Sequence, residues 1–263
     1  MSDHDLSVAI NLAQEAGALL LEYWHDRAAL SVSTKRAGDF VSRADHAAEH
    51  HLRTGLLNAF PEDSWLGEET GARAAGARRW VVDPLDGTTN FLRGLGHWAV
   101  SVALEDNGVL TVGVVHDPLR RETFSARIGQ GAYLNGVPMA VSHTSLMSNA
   151  LFGTGVPFGG MAHIPDHAAD IANLMPHCAG MRRMGAAALD LAYVAAGRLD
   201  GFWERRLQPW DIAAGLLLLR EAGAQVEGWN VAERPEDSGT VIAATPRLFP
   251  AFATILRTGS PET

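Results

Sequence analysis

The stretch Trp80-Val81-Val82-Asp83-Pro84-Leu85-Asp86-Gly87-Thr88-Thr89-Asn90 decides how this chain is read. Trp80 to Val82 is a short apolar run of the kind that forms a buried strand. It then breaks into turn formers and oxygen-bearing side chains. Two carboxylates, Asp83 and Asp86, stand on either side of Pro84 and Leu85. Pro84 fixes one φ and removes a donor, which stiffens their spacing. Gly87 lets the backbone turn sharply or approach a ligand. Free N–H groups at Gly87, Thr88 and Thr89 would open a helix or nest that holds an anion. Buried unpaired carboxylates are costly, so a cation belongs beside them. Carboxylates for a cation next to a turn for an anion is the layout of a metal-assisted phosphate site. An Asp-Gly pair alone is ordinary turn punctuation, so partners elsewhere in the chain decide the matter.

Before this stretch, Leu6, Ile10, Ala13, Leu20 and Tyr23 recur at helical spacing and predict a helix over residues 2–24. Ser2 and Asp5 resemble a weak capping box. A short strand at Leu30 to Ser33, an extended piece at Phe40 to Ser42 and a helix from Arg43 to Ala59 follow, with Pro61 ending the helix. Ser64 to Gly67 reads as a strand closed by the acids Glu68 and Glu69. Residues 71–79 read as a mobile connection to the central strand.

After Asn90, the larger Trp98, Val100, Val102 and Leu104 alternate with the smaller Ala99, Ser101 and Ala103, a strand signature. Asn107-Gly108 is a hairpin turn leading back through Leu110 to Val115, and His116-Asp117-Pro118 reads as a loop. Glu122 to Ala126 is another strand, and Asn135-Gly136 a second hairpin turn. Beyond Leu151 strands and helices alternate. Leu151 to Gly155 and Gly201 to Glu204 read as strands. Ala186 to Ala196 and Ile212 to Glu221 read as helices, the latter with Asp211 at its cap, where a carboxylate is favourable. His163, His167 and His177 invite a zinc site, but no cysteine or carboxylate partner follows at the usual spacing.

The composition is that of a globular chain with room for a sizeable core: 263 residues, 47% hydrophobic and 19% charged. A formal net charge of −9 argues against a nucleic-acid-binding surface, which carries a basic patch. The single cysteine, Cys178, permits no internal disulfide and suits a reducing cytoplasm. No signal peptide and no membrane span are expected, and the last few residues read as a loose tail.

Four acids stand at strand ends or a helix start: Glu68, Asp83, Asp86 and Asp211. Such ends gather at one edge of a mixed sheet. An all-oxygen set selects a hard cation, and Mg²⁺ is the one that keeps waters and works with phosphate.

Gly67-Glu68-Glu69, the stretch from Trp80 to Asn90, and Trp210-Asp211-Ile212-Ala213-Ala214-Gly215 together resemble the three signatures of the inositol monophosphatase family. These are Mg²⁺-dependent, lithium-sensitive phosphomonoesterases. The likeness runs from Lys35 to about Ala244. It implies an α+β fold, a five-layered αβαβα sandwich, in a single domain over 1–263. The half 1–145 would carry most metal ligands, and the half 146–263 the substrate contacts and Asp211. It also implies a homodimer.

Carried over by position, Asp83 would bridge two Mg²⁺ ions. Glu68 and the Leu85 carbonyl would complete the first site, Asp86 and Asp211 the second, and a third, weaker ion would lean on Glu68 through waters. Thr88 with Glu68 would orient and deprotonate the attacking water. Gly87 and Thr88 would offer N–H groups to the phosphate, with Lys35, Asp39 and Asp45 as supporting residues near the metals. Glu204 would meet a ring hydroxyl of the substrate, and Gly185 and Ala187 would present backbone to the same sugar.

The implied substrate is a small phosphorylated polyol or amino alcohol, inositol 1-phosphate first. The sequence departs from animal members at Ala186, where they have threonine, and at Arg205-Arg206 after Glu204. A carboxylate at Glu204 would also meet an amine or imidazole, so histidinol phosphate is the alternative substrate. Larger bisphosphates fit less well, because family members acting on them carry insertions around the site. A protein-binding, regulatory member of the family is the reading from another class, and the intact acid set argues against a purely non-catalytic chain.

Overall fold

A computed structural model describes residues 3–26, 32–36, 39–156 and 163–258. The chain opens with helix α1 (Asp3–His25), the paired strands β1 (Val32–Arg36) and β2 (Asp39–Ser42), and helix α2 (Arg43–Ala59). The start of α2 is set by a capping box. Ser42 Oγ accepts the Ala44 N–H at 3.1 Å, and Asp45 Oδ2 accepts the Ser42 N–H at 2.8 Å. The expected box at Ser2 involves a residue outside those described. Asp5 instead accepts from Arg78 Nη2 at 3.1 Å. Of the expected strand at Leu30 to Ser33, Val32 and Ser33 belong to β1, and Leu30 and Ser31 lie outside the described residues.

Next come β3 (Ser64–Gly67), β4 (Gly71–Arg73), β5 (Arg78–Asp86), the short helix α3 (Thr88–Arg93), β6 (Ala99–Asp106), β7 (Val109–Asp117), β8 (Glu122–Arg127), β9 (Ala132–Leu134) and β10 (Val137–Met139). They form an eight-stranded sheet in the order β10-β9-β8-β7-β6-β5-β3-β4, antiparallel except where β3 runs parallel to β5. The second half contributes β11 (Leu151–Thr154), α4 (Ile164–Leu174), β12 (Gly180–Arg182), α5 (Ala187–Ala195), β13 (Gly201–Glu204), α6 (Pro209–Glu221), β14 (Gln225–Glu227), α7 (Pro235–Ser238), β15 (Val241–Ala244) and α8 (Phe249–Thr258). Its five strands order β12-β11-β13-β15-β14, with β11 parallel to both neighbours.

The layers follow from which residues share a core. Leu20, Leu52, Trp80, Val82, Trp98, Val100 and Val102 pack together, so α1 and α2 cover one face of the large sheet. Val81, Ala99 and Ala103, on the opposite face, pack with Leu191 and Leu216, so α5 and α6 fill the space between the sheets. Leu174, Trp203 and Phe252 form a third core, where α4 and α8 cover the far face of the small sheet. This is the expected αβαβα sandwich. The alternation of β6 explains its asymmetry. Its bulky residues face α1 and α2, and its small ones face α6. The helix comes so close that a Cβ on Gly113 of β7 would sit 2.8 Å from the Ala214 carbonyl.

Three expectations need correction. The central strand does not stop at Val82. It continues to Asp86, with the ladder to β6 interrupted between Asp83 and Asp86, where Pro84 cannot donate. Residues 71–79 are not simply a connection, since Gly71 to Arg73 pair with Trp65 to Gly67 and β5 already begins at Arg78. His116 and Asp117 are the buried end of β7 rather than a loop. His116 Nδ1 lies 3.0 Å from Thr123 Oγ1 on β8, and α1 packs over the ring at Gly17. Among the described residues no helix is long and apolar enough to cross a membrane.

Candidate active site

The interruption in β5 builds the floor of the site. Asp83 turns its carboxylate back on its own strand, where Oδ1 accepts the Leu85 N–H at 2.9 Å. Gly87 follows at φ +88°, a left-handed conformation that costs a residue with a Cβ. A Cβ there would also stand 2.9 Å from the His97 carbonyl. The turn at Gly87 leads into α3, whose first bond runs from the Phe91 N–H to the Gly87 carbonyl.

Glu68 follows β3, parallel and adjacent to β5, and its N–H donates to the Val82 carbonyl at 3.2 Å. That turn is anchored from below by Glu49 of α2. Its fully buried carboxylate accepts the Glu69 and Thr70 N–H groups, each at 2.7 Å. Asp211, in the first turn of α6, accepts the Gln208 N–H at 2.7 Å. Asp86 accepts the Ala188 N–H of α5 at 2.7 Å, which ties the end of β5 to the start of that helix.

Glu68, Asp83, Leu85, Asp86, Gly87, Thr88 and Asp211 therefore line one cavity of about 630 Å³. Gly185, Ala187 and Glu204 line it as well, with Asp190 and Arg183. Asp45 does not line it but stands directly behind, with Thr88 Oγ1 3.0 Å from Asp45 Oδ1 and 3.1 Å from the Leu85 carbonyl. The hydroxyl has one proton for these two acceptors. Lys35 and Asp39 fall on β1 and β2, and their side chains lie outside what is described.

So many acids in one enclosure perturb each other. Burial drives Asp83 well above the ordinary carboxylate range, and the charges of Glu68, Asp86 and Asp211 add to it. Burial, then the charge of Asp190, pushes Asp86 up to about 7. Glu204 is raised strongly by burial, then by Asp211, Asp190 and Asp86. Asp45 is raised by burial against the pull of its Ser42 and Thr88 hydrogen bonds.

Among the described residues no group of three or more His, Cys, Asp or Glu side chains is gathered closely enough to hold a metal ion as it stands, His163, His167 and His177 included. The carboxylates share the cavity as an open cluster whose members feel one another's charge. An open set of hard oxygen donors suits a cation that keeps several of its waters, and a divalent ion would relieve the repulsion recorded at Asp83.

Asp190 and His97 lie outside all three motifs. Asp190 of α5 is buried, with Oδ1 2.7 Å from Nε2 of His97 in the loop after α3. Asn90 Nδ2 donates to the His97 carbonyl at 2.8 Å and to the Met184 carbonyl at 2.7 Å, which stitches the end of the central stretch to the loop before α5. In sequence Asp190 looks like one more polar residue on an apolar helix. Its only signal is that a helix buried on all sides holds a carboxylate at all.

The fold and the chemistry of its relatives define a phosphoric monoester hydrolase. The model of the inositol monophosphatase family matches residues 1–259, and the chain belongs to that family. It is 42% identical over 263 residues to an inositol-1-monophosphatase of Rhizobium meliloti, covering 98% of this chain and 97% of the relative. It is 40% identical over 254 residues to Nus factor SuhB of Escherichia coli, covering 96% and 95%. Among solved structures, the extragenic suppressor protein suhB of Bartonella henselae superposes with a TM-score of 0.94 at 38% identity, covering 97% of this chain and 99% of that one.

Proposed function

We propose that the protein hydrolyses inositol 1-phosphate, or a closely similar small phosphate monoester, with Mg²⁺. The observation that carries this reading is the meeting of acids from β3, β5 and α6 in one cavity beside the turn at Gly87. Asp83, Glu68 and the Leu85 carbonyl would hold one ion, Asp86 and Asp211 a second, and Glu68 would support a third through waters. Bound Mg²⁺ supplies Lewis acidity toward the phosphate and lowers the pKa of a water.

The chain's own groups do the rest. The N–H groups of Gly87 and Thr88 face the phosphate. Thr88 and Glu68 orient the attacking water. Asp45, 3.0 Å from Thr88 Oγ1, holds the hydroxyl in place and takes part of its proton's charge. Glu204 and the backbone at Gly185 and Ala187 position the alcohol. Phosphoryl transfer to water needs mainly positioning and charge neutralisation, and the residues supply both without a covalent nucleophile. Lys35 and Asp39 are proposed to support the metals from the β1–β2 hairpin. A lithium-sensitive cytoplasmic homodimer is the proposed working form, in keeping with the family resemblance.

The test is phosphate release from inositol 1-phosphate with and without Mg²⁺, in a panel that includes histidinol phosphate. Mg²⁺-dependent release that is fastest on the inositol ester supports the reading. Faster turnover of histidinol phosphate would reassign the substrate, with Glu204 facing its amine or imidazole. No release from either ester in Mg²⁺ would remove the enzymatic reading and leave the protein-binding one, which rests on the relatives named Nus factor SuhB.

A further inference from the structure

The described lining of the cavity holds six carboxylate side chains, Glu68, Asp83, Asp86, Asp190, Glu204 and Asp211, and one cation, Arg183. Four of the acids surround the proposed metal positions, and Asp190 is matched by His97. Glu204 and Arg183 remain. Neither makes a hydrogen bond or ion pair among the described residues, and they do not pair with each other. Both come from the small sheet, Glu204 at the end of β13 and Arg183 just after β12, whereas Glu68, Asp83 and Asp86 come from the large one. The cavity therefore has a metal side and a second side with one carboxyl and one guanidinium open to a ligand.

Arg183 reaches this position because of its neighbour. Gly185 adopts φ +86° and has no side chain, and a Cβ there would lie 2.8 Å from Arg183 Nη1. The guanidinium is laid across the glycine at the mouth of the cavity. The side chain is exposed, yet it lines the cavity and its charge acts on both Glu204 and Asp190. Arg205 and Arg206 are close by, but Arg205 is committed to Asp170 at 3.0 Å and to the face of Trp229. A guanidinium with no partner among the described residues, on the exposed rim of an acid-lined pocket, presents a planar fork that matches a carboxylate or a phosphate.

We propose that Arg183 is a specificity-determining residue that selects phosphate esters whose alcohol portion carries a second anionic group, while Glu204 meets a neighbouring hydroxyl. This deepens the reading of the same cavity as a phosphomonoesterase site and rests on it. The second anion is a carboxylate or a phosphate, and the two are separated by experiment.

Matched pairs of esters test it with the full-length protein and Mg²⁺. The pairs are glycerol 2-phosphate against 2-phosphoglycerate, and inositol 1-phosphate against an inositol bisphosphate. The wild type should favour the more anionic member of at least one pair by about 10-fold or more in kcat/KM, the size of one charge-assisted hydrogen bond. The pair that shows the preference identifies the anion. In R183Q the ratio should fall to about one, mainly through KM, and R183K should restore part of it. R182Q removes the same charge one residue away, outside the cavity lining, and should keep the wild-type ratio.

No preference in the wild type, or a preference that survives R183Q or is lost equally in R182Q, overturns the proposal. Titration calorimetry of the same esters keeps the two readings apart. If no ester is hydrolysed, the phosphatase reading fails. The subsite then stands or falls on whether R183Q loses the tighter binding of the anionic esters.

Discussion

Asp86 Oδ2 accepts the backbone N–H of Ala188 at 2.7 Å, joining the last residue of β5 to the first turn of α5. One carboxylate, held by the Leu189 N–H as well, thus closes the large sheet against the helix layer on the wall of the cavity. Asp86→Asn keeps an acceptor for Ala188 but removes the charge. Near pH 4, where the folded chain keeps Asp86 protonated, stability should change by about 1 kcal/mol or less, the scale of one hydrogen bond. Turnover should fall on the order of 100-fold or more, because a proposed metal ligand is lost. Urea melts and phosphate-release kinetics on the same preparation separate the two effects. A large loss of stability with activity retained would show that Asp86 is only a structural cap.

The same residue carries a pH signature. Without divalent cations Asp86 titrates at about 7, raised by burial and by Asp190, whereas an unfolded aspartate titrates near ~3.9. Between those values the folded chain holds a proton that the unfolded chain has released. Its contribution to stability is therefore present at low pH and lost as pH rises toward about 7. A bound cation favours the ionised form and removes this loss. In EDTA, the melting temperature of the wild type relative to D86N should fall between about pH 5 and pH 7.5, and Mg²⁺ should stabilise the wild type more at the higher pH. Equal stabilisation by Mg²⁺ at both pH values would contradict the assignment.

Glu49 holds the turn that carries Glu68. Glu49→Ala would leave two N–H groups without their buried acceptor, each worth about 1–3 kcal/mol. The expected loss is about 2–5 kcal/mol in a denaturant melt, with a raised Mg²⁺ concentration for half-maximal activity. An unchanged Mg²⁺ requirement would separate the turn from the proposed site.

Gly87→Ala tests the turn itself. The left-handed φ costs an alanine about 1–2 kcal/mol, and its Cβ would press on the His97 carbonyl. The start of α3 must then shift, so KM for the phosphate ester should rise along with the loss of stability. Wild-type KM in a destabilised G87A protein would mean that the N–H groups there do not face the phosphate.

What the sequence disclosed follows the reach of local physics. The turns at Asn107-Gly108 and Asn135-Gly136 were legible because all four residues take positive φ, which few other residue pairs accept. The two faces of β6 were legible because bulky and small residues alternate along it. Glu68, Asp86 and Asp211 were legible because each stands at or beside an element end, and Asp83 because the apolar run breaks there. The continuation of β5 through Pro84 was hidden, since a proline there reads as a strand stop unless the interruption is already known. The short β4 was hidden too, being polar and rich in Gly and Ala. Glu49 and Asp190 gave no local sign. They are buried helical acids whose partners, the Glu69–Thr70 backbone and His97, lie far off in sequence.

The most direct measurement is Mg²⁺ titration of wild-type protein and Asp83→Asn by calorimetry, paired with phosphate release from inositol 1-phosphate. Asp83 is the buried carboxylate that feels Glu68, Asp86 and Asp211 at once. The wild type should bind Mg²⁺ and hydrolyse the ester, and the folded D83N protein should do neither to any useful extent. Near-normal Mg²⁺ binding and phosphate release by D83N would contradict the account.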